Sequence, residues 1–198
     1  MSDITHPALR LKPFIGYKAT NAFFQGVWGT AYVGLMAPLP PEVFSAGGIG
    51  FSLGTWLVAL GYSSLFNLTA FFRISLGVEL IALISVLAIL IYPEGFTLAA
   101  GIYLGFQLAL IFGSYLGRLE TLVVAKDNLK HLDIGKSIGA LLGLAFAALF
   151  YQFARNGLNM QDSTSLVQII HYPLLVVQAT NVGLLLVSFD RSRFDDAL

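Results

Sequence analysis

Residues 72–92 read FRISLGVELIALISVLAILIY, and this stretch decides the fold. Beyond Arg73 it carries one charged side chain, Glu79, in a run of Ile, Leu, Val and Ala. About 20 predominantly apolar residues match the hydrocarbon thickness of a bilayer, and a helix satisfies its own backbone hydrogen bonds there. Five more stretches of this kind lie at about residues 14–37, 47–67, 96–124, 134–153 and 166–189. Hydrophobic residues make up 57% of the 198 and charged residues 11%, with a mean hydropathy of +0.78. A soluble domain would carry roughly 25% charged residues. The sequence therefore predicts an all-α polytopic membrane protein, one domain over 1–198 with six transmembrane helices.

Turn residues separate the spans. Pro38-Leu39-Pro40-Pro41 closes the first and Pro93-Glu94-Gly95 the third. Ser165-x-x-Gln168 reads as a capping box for the sixth, with Asp162 as the competing cap. The connections are short, so consecutive spans should be antiparallel neighbours. The first strongly polar break is expected at 126–136 and the second at 155–165. The fourth helix is expected to run on past the membrane, as far as about Leu129. The N-terminal residues, 1–12, lack the charged-then-apolar pattern of a signal peptide, so the first span is expected to remain as an uncleaved anchor.

Charge sets the expected orientation. Of eleven Lys and Arg, Arg10, Lys12, Lys18, Arg73, Arg118, Lys126, Lys130, Lys136, Arg191 and Arg193 fall on one side of a six-span topology. Arg155 alone falls on the other. The positive-inside rule then places both termini in the cytoplasm. Five or seven spans would destroy this partition. With no targeting sequence, a bacterial inner membrane fits best. Net charge is zero, so nothing points to nucleic acid. Cysteine is absent, which removes disulfides, thiolate metal sites and cysteine nucleophiles.

The glycines have a pattern. Gly101-x-x-x-Gly105, Gly113-x-x-x-Gly117 and Gly135-x-x-x-Gly139-x-x-x-Gly143 each place small residues on one helix face, where backbones can approach. This suits packing inside the chain, a dimer seam or a sliding surface. Spans one and four share Phe-Gln followed by Gly-Thr/Ser, Tyr and Gly: Phe24-Gln25 with Gly29-Thr30, Tyr32 and Gly34, and Phe106-Gln107 with Gly113-Ser114, Tyr115 and Gly117. The spacing differs by two residues. Such a match arises by chance among Gly-rich helices, or it marks a three-plus-three repeat. With three spans per unit the two halves would be inverted, a transporter habit.

Ionisable groups inside a bilayer are costly, so each needs a reason. Glu79, about two turns into span three, is either a proton or cation coupling site or half of a structural ion pair near the cytoplasmic end. Arg118 and Glu120 lie near the cytoplasmic end of span four. Arg118 either pairs with Glu79 across neighbouring helices as a latch or snorkels to the headgroups. Glu120 is expected to be solvated. Asn21, Gln25, Gln107, Gln178 and Asn181 are the uncharged candidates for a polar path. Gln178 and Asn181, three apart, share one helix face. They serve equally as interhelical hydrogen bonds. His171-Tyr172-Pro173 should open span six near the outer surface, where His171 either senses pH, binds a ligand or is merely structural.

Some chemistries are disfavoured. The three histidines, His6, His131 and His171, fall in different segments, against a paired-His haem site. No lysine lies at mid-membrane depth, and HExxH, Walker A and GxSxG sequences are missing. No enzyme, cofactor or metal site is expected.

The layout resembles one half of a major facilitator superfamily transporter. Gly113-Ser-Tyr-Leu-Gly-Arg118, the basic stretch 126–136 and the Gly-rich span five look like the fourth and fifth helices of such a half. Of the acidic and Gly-Arg-Arg-like cluster between spans two and three, Gly61 and Arg73 are the counterparts here, and span five has no proline. Full transporters of that family have twelve spans, so the resemblance implies a half-size secondary transporter acting as a homodimer on a small solute. Two other readings compete. One is a non-catalytic membrane subunit or assembly factor of a larger complex. The other is a substrate-capture subunit of an ATPase-driven importer.

Overall fold

The computed structural model describes residues 5–37, 39–93 and 95–194. The expected proline and Pro-Glu-Gly turns contain residues 38 and 94, which lie outside that set, as do the ends of the chain. Every regular element described is helical: α1 Leu11–Met36, α2 Pro41–Leu60, α3 Tyr62–Leu65, α4 Leu68–Ile91, α5 Phe96–Ile111, α6 Gly113–Val123, α7 Lys126–Gly157 and α8 Ser163–Ser188, then a 3-10 turn at Arg191–Arg193.

Local chemistry sets the ends. Pro41 opens α2 at the first helical position, where its missing N–H is not needed. The Asn67 side chain caps α4 by accepting from the backbone N of Ala70 at 2.7 Å. Gly95, with φ 114°, makes the left-handed turn into α5. At α8 the cap is Asp162, whose Oδ2 accepts from Ser165 N at 2.7 Å. The Ser165–Gln168 capping box does not form; Gln168 instead donates to Leu90 O on α4 at 3.2 Å.

Five helical segments are long and apolar enough to cross a membrane: Pro41–Leu60, Leu68–Ile91, Phe96–Val123, Lys126–Gly157 and Ser163–Ser188. The third of these comprises α5 and α6, broken at Phe112 beside the Gly113-Ser114 pair. α1 is long enough, at 26 residues, but not apolar enough to count among them. Its position explains this. α1 is the central helix, packed most extensively on α7 and then on α8, and its polar residues face protein and a cavity.

Several expected boundaries change. The second span, expected at 47–67, is α2 at Pro41–Leu60, followed by the separate short α3. The basic stretch 126–136 is no loop; it is the first part of α7, which runs unbroken for 32 residues. The fourth helix stops at Val123 and not near Leu129, because Val124 turns to extended backbone.

Contacts along the helices give their directions. Phe14 meets Phe71, at 6.2 Å between ring centroids, and Phe189, at 5.9 Å, at one end of the bundle. Trp28 meets His171 further along, at 5.3 Å. So α4 runs with α1, and α8 runs against them. A Cβ added at Gly139 would collide with Ala19 O, and one at Gly143 with Phe23 O. Thus α7 also runs with α1, its glycines letting the two backbones touch. The glycines of α7 are therefore used inside the chain. Likewise Gly47 meets Tyr103 and Gly54 meets Ile111, so α2 runs with α5. Helices α1, α4 and α7 point one way and α2, α5–α6 and α8 the other.

The N- and C-terminal segments meet at one end. Leu9 and Phe189 form an antiparallel bridge. Arg10 N donates to Ser188 O and Asp190 N to Ala8 O, each at 2.8 Å.

Candidate functional site: a buried polar layer and its cavity

The core is split in two. One apolar cluster holds Phe14, Phe71, Tyr115, Leu185 and Phe189 at the end where the termini meet. The other holds Val27, Trp28, Val86, Ile89, Ile170 and Leu174. On α1, α4 and α8 the side chains between them are polar: Tyr17 and Asn21, Ser75 and Glu79, and Gln178 and Asn181. Placed at one depth, these form a polar layer across three helices.

Glu79 is its centre. It stands eleven residues from the start of α4 and twelve from its end, so it lies at the middle of the helix and not near one end. It is 1% exposed. Oε1 accepts from the Tyr17 hydroxyl and from Asn21 Nδ2, each at 2.7 Å. Oε2 accepts from Gln178 Nε2 at 2.7 Å, and the same nitrogen lies 2.8 Å from the Glu79 carbonyl. Asn181 Nδ2 donates to Gln178 Oε1 at 3.2 Å, and Gln25 Nε2 to Asn21 Oδ1 at 2.8 Å. The carboxylate thus takes three bonds from neutral donors on two other helices. Ser75 Oγ and Asn181 Oδ1, both buried, have no hydrogen-bond partner among the described residues.

A cavity of about 810 Å³ opens beside this layer, walled by α1, α4, α5, α6 and α7. From α1 it takes Tyr17, Asn21, Gln25, Trp28 and Tyr32. These recur every three or four residues, so they form one stripe of the helix. Fifteen steps of 1.5 Å make that stripe about 22 Å long. A smaller cavity of about 220 Å³ beside Gly34, Gly95 and Val167 has no charged side chain in its wall among the described residues.

A second charged group sits at one end of the large cavity. Glu120 on α6, 4% exposed, accepts from Lys18 at 3.1 Å and from Lys136 at 2.8 Å. Lys136 also meets Asp133 at 3.6 Å. The expectation of a solvated Glu120 is corrected: α6 turns it inward, where α1 and α7 each supply a lysine.

Of the residues expected to form a polar path, Asn21, Gln25, Glu79, Gln178 and Asn181 come together. Gln107 and Arg118 do not. Gln107 is half-buried on α5, makes no side-chain hydrogen bond among the described residues and is not in the cavity wall. Arg118 points away from Glu79 and lies over the Tyr62 ring, 5.4 Å from its centroid. The Glu79–Arg118 latch is therefore absent, and Tyr17, Asn21 and Gln178 occupy its place. His171 lies nine residues into α8 against Trp28, fully buried, and not near an outer surface.

Sequence reading missed Tyr17, Lys18 and Lys136. Tyr17 carried a usable signal, since Tyr17, Asn21 and Gln25 repeat at four-residue intervals. Among the described residues no group of His, Cys, Asp and Glu could hold a metal ion. No protein-family model, curated protein or solved structure matches the chain.

Proposed function

We propose that this chain is a six-helix membrane unit, with α1 as the sixth span and both termini cytoplasmic, that forms half of a secondary transporter for a small solute. Two copies then make the full twelve-span carrier, in a bacterial inner membrane, without enzymatic activity. The observation that carries this reading is Glu79: a carboxylate at mid-helix depth, bonded from two other helices, in the wall of a large cavity. Intramembrane ionisable groups facing a cavity mark solute or ion paths.

The helix pairings support it. Exchange α1 with α5, α2 with α7, and α4 with α8. The most extensive pairings then map onto one another: α1 with α7 becomes α5 with α2, α1 with α8 becomes α5 with α4, and α4 with α8 is unchanged. The exchanged helices run in opposite directions. This is the pattern of an inverted three-plus-three repeat, and such repeats place their sites at mid-membrane depth. It agrees with the shared residues of spans one and four and with the likeness to half of a major facilitator superfamily transporter.

A non-catalytic subunit of a larger complex is the second reading. It is favoured by α2, which packs mainly on α5 and exposes Ile49, Leu53, Trp56 and Leu60. The mass of the purified protein in nanodiscs separates the two. A homodimer that supports solute flux into liposomes, lost in Glu79→Gln, is the expected result. A monomer that copurifies with different subunits and gives no flux would replace the transporter reading with the second.

A further inference from the structure

We infer that the large cavity binds an organic cation with an apolar, aromatic-sized body, held by Glu79 at the polar layer and by the aromatic wall beyond it. This deepens the transport reading and rests on it for the solute's passage.

Charge balance comes first. The cavity wall has two lysines, Lys18 and Lys136, and both are paired with Glu120. Glu79 is left without an ion pair of its own. Among the described residues no Lys, Arg or His lies within ion-pair distance of it, and its three donors are a phenol and two amides. Those donors orient the carboxylate but bring no positive charge. A buried carboxylate without an ion-pair partner is unfavourable, and a cation entering the cavity supplies one.

The wall supplies the rest. Phe24 and Trp28 stack with ring centroids 5.6 Å apart, and Tyr32 meets Phe106 at 4.9 Å. All four rings line the cavity. Aromatic faces attract cations that are weakly hydrated, and aromatic pairs provide a broad apolar surface. The volume of about 810 Å³ lies within the range of about 300–1,000 Å³ that takes a drug-sized molecule. An anion would meet Glu79 unfavourably and would have to break the lysines from Glu120.

The chain holds two tryptophans, which makes the test direct. Trp28 lines the cavity, while Trp56 is 59% exposed on α2. In Trp56→Phe protein in nanodiscs, Trp28 is the only tryptophan reporter. Tetraphenylphosphonium and tetraphenylborate, of one shape and opposite charge, are titrated against it, with empty nanodiscs as the partition control. Saturable quenching by the phosphonium at least about tenfold tighter than by the borate is expected, as is a loss of about tenfold or more in Glu79→Gln. Equal response to both ions, or no saturation, overturns the proposal. So does unchanged phosphonium affinity in a Glu79→Gln protein that folds. If that variant does not fold, the comparison of the two ions on the Trp56→Phe protein still decides. Flux is read separately in liposomes. Cation-selective binding without flux leaves the site and removes the transport reading. Flux of other solutes without cation selectivity does the reverse.

Discussion

The Tyr17 hydroxyl donates to Glu79 Oε1 at 2.7 Å, joining two helices whose residues stand 62 apart in the chain. Both groups are nearly inaccessible in the packed layer, at 3% and 1% exposure. A hydrogen bond to a charged group contributes about 1.5–3 kcal/mol. Tyr17→Phe should lower stability by about that amount while leaving Asn21 and Gln178 on the carboxylate. Glu79→Ala should cost more, because it strands three donors, two of them, Tyr17 and Gln178, buried. Thermal unfolding of the two variants in one detergent checks the order; an equal effect would mean that the layer is not coupled through Glu79.

Gly139 and Gly101 predict opposite outcomes for the same substitution. A Cβ at Gly139 would run into the backbone carbonyl of Ala19, so α1 and α7 would have to separate. Gly139→Ala should destabilise by about 1–3 kcal/mol, the usual range for overpacking. Nothing lies within 4 Å of a Cβ at Gly101, so Gly101→Ala should be neutral or stabilise α5 by up to about 1 kcal/mol. Melting temperatures of the pair are the measurement, and a fall for Gly101→Ala would point to a partner on that face.

Glu120 holds two lysines, and the three positions should respond unequally. The Glu120 side chain is 5% exposed and that of Lys18 12%. Glu120→Gln leaves Lys18 charged without its counter-charge and should cost about 3–5 kcal/mol. Lys136 is 35% exposed and keeps water and Asp133 within reach. Lys136→Ala should cost under about 1 kcal/mol. A double-mutant cycle between Lys18 and Glu120 should show coupling; none would place the pair in effective contact with solvent.

Asp162 gives a pH effect of definite sign. The backbone N–H of Ser165, and next its side chain, hold the Asp162 carboxyl below its ordinary value. A folded-state value below the unfolded one contributes stability that is present above the unfolded value of about 3.9 and is lost as pH falls through the folded value. The wild-type melt should therefore drop more steeply below about pH 4 than that of Asp162→Asn, which keeps the cap without the charge. Parallel curves for the two proteins would show that the charge adds nothing.

Several elements were legible in the sequence. The apolar runs marked the helices, and the proline and glycine turns marked the starts of α2 and α5. Asn21, Gln25, Glu79, Gln178 and Asn181 stood out as polar residues in apolar surroundings. What misled was any feature whose meaning depends on rotation about a helix axis. Arg118 and Glu120 sit two residues apart on α6, so they face different directions: one lies over Tyr62, the other turns inward to Lys18 and Lys136. The basic stretch 126–136 looked like a loop because polarity alone does not separate a solvated helix from a turn.

The sequence by itself determined an all-helical chain with six apolar stretches, five of which form helices apolar enough to span a membrane, and short connections that alternate helix direction. The expectation that consecutive spans are also neighbours is corrected, since α1 packs on α7 and α8 and α2 on α5. Hydropathy is a local property, summed residue by residue, so it needs no knowledge of partners. Only the tertiary structure decided that α1 is the central helix, that glycines of α7 meet its backbone, and that Tyr17, Asn21 and Gln178 surround Glu79. Those are pairings between helices far apart in the chain. They follow from the azimuth and depth at which each helix packs, which no single stretch of sequence specifies.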